Sequence, residues 1–168
     1  MKKFENQLVE YIPRLRRYAR ALSHNPYAAD DLVQDTLERA LNKRLLWRRD
    51  SRLRPWLFTI MHNLFINQVR RHGATPQMLE LDENLLDGTE SPESTLYAQQ
   101  LQLSINQLPD DQKEVFLLVS LEGFSYEEVA AIMDIPVGTI MSRLSRAREK
   151  LRKKISTHEK SMPLRRVK

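Results

Sequence analysis

In the run FSYEEVAAIMDIPVGTIMSRLSRAREKLRKK, residues 124–154, Arg143, Arg146 and Arg148 fall near the middle of a helical stretch that follows an Asp-Ile-Pro break. A guanidinium can bond a guanine edge through two donors, or grip a phosphate with the same fork. The pattern fits a helix-turn-helix, in which a first helix braces a second whose N-terminal half enters the major groove. Val129, Ala130, Met133, Ile135, Ile140 and Leu144 would form the shared core, with Thr139, Ser142, Arg143 and Arg146 on the polar side of the second helix. The plain alternative is a helical hairpin with a solvated basic face.

Two further stretches carry polar groups at helical spacing. In ADDLVQDTLERAL, residues Asp30, Asp31, Gln34, Asp35 and Glu38 line one side of an otherwise apolar helix. Such a ridge can pair with a basic partner helix, although taken alone it reads rather as a solvated acidic face. In WRRDSRLRPWLFTIMHNLFINQVRR, aromatic residues alternate with arginines. That mixture suits single-stranded or melted nucleic acid, because bases stack while guanidiniums hold phosphates. Trp56, Phe58 and Phe65 can equally be core residues, whereas Trp47, beside Arg48 and Arg49, is the better candidate for exposure. His62 and Asn63 are polar residues within an apolar helix; Asn63 can hydrogen-bond an extruded base or simply be solvated.

Other chemistries find little support. With zero cysteines the chain has no disulfide, thiolate zinc site or cysteine nucleophile. The four histidines are scattered without metal-ligand spacing, there is no catalytic constellation, and no cofactor is expected. No apolar run approaches the roughly 18 residues of a membrane span, and the N-terminus lacks the apolar core of a signal peptide. A cytoplasmic protein without membrane insertion, monomeric when free, is therefore expected. The net charge of +5 favours a polyanionic partner only weakly. Its distribution says more: residues 137–168 hold eleven Lys/Arg against two Glu, while residues 76–96 hold six Asp/Glu and no Lys or Arg.

The elements that must position these groups are helices. Only four glycines and no hairpin signal point to an all-α chain. A first helix begins near Lys3 and is interrupted or re-aimed at Pro13. Asn25 caps the next, with Pro26 at its first position and Asp30 and Asp31 in its first turn. Its apolar face is Ala29, Leu32, Val33, Thr36, Leu37, Ala40 and Leu41. A third helix follows Pro55, with Trp56, Leu57, Ile60, Met61 and Leu64 able to face a core. Periodicity then fades between Gly73 and Pro92, which reads as an acidic linker over 73–93. Beyond it, helices are expected over about 93–107, 110–121, 126–133 and 137–154, the third opened by a capping box of Ser125 and Glu128. The expected organisation is two small helical domains, 1–72 and 94–155, followed by a basic tail, 156–168.

In this order the three stretches resemble an extracytoplasmic-function (ECF) sigma factor of the sigma-70 family. DDLVQDTLERAL resembles the family's core-polymerase-binding helix, and RPWLFTIMHNLFINQVRR the helix and loop that recognise and melt the minus-ten promoter element. LPDDQKEVFLLVSLEGFSYEEVAAIMDIPVGTIMSRLSRAREKLR is similar to the second sigma domain. The resemblance implies that Asp31, Gln34 and Asp35 bind the polymerase, with Leu32 and Leu37 supporting them. It assigns Trp47, Arg48, Arg49, His62, Asn63 and Asn67 to minus-ten DNA, with Asn63 reading a flipped base. It assigns Thr139, Met141, Ser142, Arg143 and Arg146 to the minus-thirty-five element. Met141 departs from the family, many of whose members carry Lys or Arg there. The implied partners are core RNA polymerase, promoter DNA and an anti-sigma factor, and the implied role is stress-responsive transcription initiation. Two other readings compete: a regulator with a LuxR-like helix-turn-helix, which would need a ligand or receiver domain upstream, and a sigma mimic that sequesters an anti-sigma factor.

Overall fold

The computed structural model describes residues 2–23, 25–48, 52–72 and 92–161. Within them lie seven α-helices and no strand: α1 (Lys2–Leu22), α2 (Pro26–Asn42), α3 (Leu53–His72), α4 (Pro92–Asn106), α5 (Asp110–Ser120), α6 (Tyr126–Met133) and α7 (Val137–Ser161). Helices α1–α3 pack together, α4–α7 pack together, and the two sets meet where α1 and α3 touch α4, α5 and α6. Among the described residues no helix is long and apolar enough to cross a membrane. The expected linker lies almost wholly outside the described residues.

Helix α1 corrects the expected break at Pro13, since it runs unbroken through that residue. A proline inside a helix frees the carbonyl four residues back, here Val9. Val9 is 61% exposed and Pro13 is exposed too, so that carbonyl stays on the wet side of the helix. Leu8, Leu15, Tyr18 and Leu22, buried on the other side, hold the two halves in line. Helix α2 begins as expected, with the Asn25 side chain accepting from the Tyr27 N–H at 2.9 Å and Pro26 in the first turn. Asp30 and Asp31, however, fall in the second turn rather than the first, clear of the free N–H groups at the helix start.

Helix α3 starts two residues before Pro55, whose missing N–H belongs to a first turn that has no intrahelical acceptor for it. Leu53, Leu57, Phe58, Ile60, Met61, His62 and Phe65 are all buried, a sector far wider than the stripe of a one-sided helix. The width has a cause: α3 packs on α2 along one side and on α6 along another.

In the second set, the helix-turn-helix core contains Val129, Met133, Ile140 and Leu144 as expected, together with Ile132, Ala147 and Leu151; Ala130 and Ile135 are partly buried against it. Ser125 accepts from the Glu128 N–H at 3.1 Å, forming half of the expected capping box. The Glu128 carboxylate instead lies 3.7 Å from Arg52. Asp134 ends α6 in the left-handed conformation (φ 54°), and the Ile135 N–H closes the helix end on the Ala130 carbonyl at 3.1 Å. Helix α7 runs on to Ser161, one and a half to two turns past the expected end at 154 and into the first part of the expected basic tail.

Candidate polymerase and nucleic-acid interfaces

Three exposed surfaces and one buried seam account for the polar residues singled out by the sequence. On α2, Asp31, Gln34, Asp35 and Glu38 are exposed and share one face, as residues three and four apart must. Leu32 is fully buried beneath them and Leu37 partly so. The ridge is thus a row of solvated acceptors, with Leu32 anchoring the backbone and unable to touch a partner itself.

The second surface is the turn after α2. Leu45 is 90% exposed and Leu46 74%, flanked by exposed Lys43, Arg44 and Arg48; Arg49 lies outside the described residues. Trp47, expected to be exposed, is half-buried against Phe4, their ring centroids 5.4 Å apart. A cleft of about 360 Å³ opens beside it, lined among others by Glu10, Tyr11, Arg52, Arg54 and Glu128. Further along, Asn63 and Asn67 are exposed one turn apart on α3.

The third surface is the N-terminal half of α7. Met141, Ser142 and Arg146 are exposed, Thr139 and Arg143 partly so. Ser142 Oγ donates back to the Thr139 carbonyl at 3.1 Å, and Arg143 Nε lies 3.6 Å from Asp111 on α5. The structure therefore presents Asn63 with Asn67, and Met141 with Ser142 and Arg146, as two separate exposed polar faces.

His62 is placed elsewhere. It is 8% exposed and its Nδ1 is hydrogen-bonded to Glu114 of α5, across the seam between the two sets of helices. Burial raises the Glu114 carboxyl from its ordinary 4.5, against the hydrogen bond and charge of His62, which lower it. Beside this pair, Glu122 is buried and receives two arginines from the other set: Arg17 Nη2 at 3.4 Å, and Arg54, which also donates to the Glu122 carbonyl. The Arg54 guanidinium stacks 4.0 Å above the Phe124 ring, and Phe58 stands edge-on between Tyr18 and Phe124 with both centroid distances 5.1 Å. Lys113 is also buried, its ammonium donating to the last carbonyl of α1, Leu22, at 3.0 Å. A cation at a helix C-terminus is well placed for the dipole, although desolvation lowers the Lys113 pKa. Sequence reasoning missed Lys113, Glu114 and Glu122, which nothing in their residue types separates from surface charges.

Helices α1–α3 and α4–α7 thus form two helical bundles, the second ending in a helix-turn-helix made by α6 and α7. Residues 8–62 match the family described as the Sigma2 domain of PhyR, and residues 98–151 match Sigma-70, region 4. The chain is 40% identical over 149 residues to the ECF RNA polymerase sigma factor EcfG of Rhodopseudomonas palustris (strain TIE-1), covering 87% of this chain and 81% of that protein. It is 35% identical over 138 residues to the ECF RNA polymerase sigma-E factor of Escherichia coli (strain K12), covering 74% and 72%. Among solved structures, the sigma factor RpoE from Bartonella quintana, in complex with the anti-sigma factor NepR, superposes with a TM-score of 0.82 at 34% identity, over 93% of this chain and 98% of that one. The chain belongs to the ECF RNA polymerase sigma factor family, whose members are non-enzymatic transcription initiation factors.

Proposed function

We propose that this sigma factor binds core RNA polymerase through the α2 ridge, reads and melts the minus-ten element with the α2–α3 turn and α3, and reads the minus-thirty-five element with α7. The observation that carries this reading is the pairing of exposed Asn63 and Asn67 on one domain with exposed Ser142 and Arg146 on the other, each beside basic residues. In this scheme phosphate contacts position both domains, and capture of unpaired bases offsets the stacking lost on opening, a few kcal/mol per step. Neither domain alone holds DNA tightly; polymerase fixes their separation and turns two weak contacts into one strong one. Residues 1–72 and 94–155 are the two functional domains, joined by 73–93.

The likeness to a sigma factor crystallised with NepR supports control by an anti-sigma factor, and we propose that stress releases it. Run-off transcription with purified core polymerase tests the reading: activity from a cognate promoter is expected, and none from a Ser142→Ala, Arg146→Ala variant on the same template. A second reading, a mimic that only sequesters an anti-sigma factor, is favoured by the match to a PhyR domain. It predicts anti-sigma binding with no run-off product.

A further inference from the structure

Helix α7 continues well past Arg146, the last of its residues assigned to DNA. It has 25 residues and is about 37 Å long. The continuation is crowded with cations: Arg148, Lys150, Arg152 and Lys153 are all exposed, and Glu149 is the one acidic residue between 147 and 154. The helix dipole does not account for them. A cation gains from it only within the last turn, and α7 runs on about two turns beyond Lys153. Like charges four residues apart repel, and Arg146 with Lys150, Arg148 with Arg152, and Lys150 with Lys154 are three such pairs. Burial lowers the Lys154 pKa, and the Lys150 charge lowers it further. Against this stands the Glu149–Lys153 pair at 3.3 Å, exposed at both ends. An anionic partner would relieve the repulsion.

The spacing of the cations gives the shape of that partner. Thr139, Ser142, Arg146, Lys150 and Lys153 follow one another at three- and four-residue steps, so they form one line along the helix. Met141, Ser145, Arg148 and Arg152 form a second. Each residue turns the helix by about 100°, which sets the two lines roughly 130° apart. The buried stripe of Ile140, Leu144, Ala147 and Leu151 runs along the remaining side. A helix with its side chains is about as wide as the major groove, some 12 Å, and has a sugar-phosphate strand on either flank. Two lines of cations on opposite flanks suit that geometry, whereas a flat acidic protein face would meet only one.

We propose that the second half of α7 is a two-sided phosphate clamp, with Arg148 and Arg152 on one strand and Lys150 and Lys153 on the other. It rests on the reading of α7 as the minus-thirty-five reader and adds grip on duplex beside that element, independent of sequence. From Arg146 to Lys153 the helix rises about 10 Å, which covers about three base pairs.

Two double variants separate the flanks: Arg148→Ala with Arg152→Ala, and Lys150→Ala with Lys153→Ala. Alanine preserves the helix. Lys2→Ala with Lys3→Ala, at the exposed start of α1, removes the same charge elsewhere. Binding of the holoenzyme to promoter duplex is measured against salt. Each α7 pair should lower affinity about tenfold at low salt and flatten the slope of log K on log salt by about two, with upstream sequence preference unchanged. The α1 pair should match wild type. Duplexes with neutral methylphosphonates in one strand beside the element then locate the contacts. Wild type should weaken on either strand; the arginine pair should be indifferent to substitution of one strand, and the lysine pair to substitution of the other. Slopes equal to those of the α1 pair, or both pairs answering to the same strand, would overturn the clamp. So would a loss of affinity for core polymerase with the salt slope intact, which would give these cations to an acidic protein face. Strand-specific dependence without any upstream sequence preference keeps the clamp and removes the minus-thirty-five reading instead.

Discussion

The acidic ridge of α2 and the seam under α5 use the same residue types for opposite ends. Asp31, Asp35 and Glu38 stand in water, where their charges are screened and cost almost nothing to keep. Glu114 and Glu122 stand out of water, where each is held by a group from the other half of the molecule. A solvated carboxylate leaves its partner open and can meet whatever basic surface arrives. A buried one is already committed, and its worth depends on geometry that a single truncation destroys. The contrast separates a surface left open to other molecules from the surface that joins the two sets of helices.

The largest expected effect is in the seam's apolar axis. Phe58 is 1% exposed and touches Tyr18 on one side and Phe124 on the other. Phe58→Ala should cost about 3–5 kcal/mol, measured by denaturant unfolding, because one cavity opens in both packing layers. Next comes Glu122→Ala, which releases Arg54 and Arg17. The two guanidiniums are 22% and 51% exposed, so water compensates part of the loss. Roughly 1–3 kcal/mol of destabilisation is expected, below the range for a fully buried pair. A cost as small as that of a ridge substitution would erase the distinction between the two regions.

The same contrast marks what the sequence could reveal. Wherever one helix buries one stripe, periodicity sufficed: the apolar face of α2, the helix-turn-helix core, and the starts at Asn25 and Ser125 all follow from local spacing and capping chemistry. The exposure of Asp31, Gln34, Asn63, Ser142 and Arg146 followed as well, because solvated polar positions are what remains when the apolar stripe is removed. Seam contacts such as Arg17–Glu122 join residues more than a hundred positions apart, and no local pattern encodes such a pairing. His62 fell to this: it reads as a polar residue on a nucleic-acid helix until α5 is seen against it. One hint was present. Val115, Phe116, Leu117, Leu118 and Val119 run without interruption, which a helix with one wet side does not do. Pro13 failed for a related reason, since the rule against helical proline is overridden when its freed carbonyl faces water.

On the ridge, Gln34→Ala with Asp35→Ala should leave folding stability within about 0.5 kcal/mol of wild type, as exposed substitutions do. Affinity for core polymerase should fall at least about tenfold, near 1.4 kcal/mol, in a direct titration. Wild-type affinity would remove the ridge from the docking surface. A subtler difference concerns protons. Burial raises the Glu114 pKa in the folded chain, so the folded state binds that proton more tightly than the unfolded one. Its contribution to folding stability is fully present below the ordinary 4.5 and is lost as pH rises through the raised value. His62, Asp110, Arg143 and Tyr18 face the same carboxyl. Glu114→Gln should flatten this part of the pH dependence of stability, measured by denaturant unfolding; parallel curves for variant and wild type would show that Glu114 does not set it.

The smallest effect belongs to α7, where the ridge's logic applies to DNA. Met141 is 53% exposed on the face that carries Ser142 and Arg146, so a longer cation there would meet neither core nor seam. Met141→Arg should leave stability within about 0.5 kcal/mol and tighten promoter binding by the holoenzyme a few-fold. If the new guanidinium meets a phosphate, the gain is uniform across upstream sequences and the salt dependence steepens by about one unit. If it meets a base edge, the preference at one position changes by about 1–3 kcal/mol and the salt slope stays put. Measuring both slope and preference on a panel of upstream elements distinguishes the two, and no change in either would place position 141 outside the reading face.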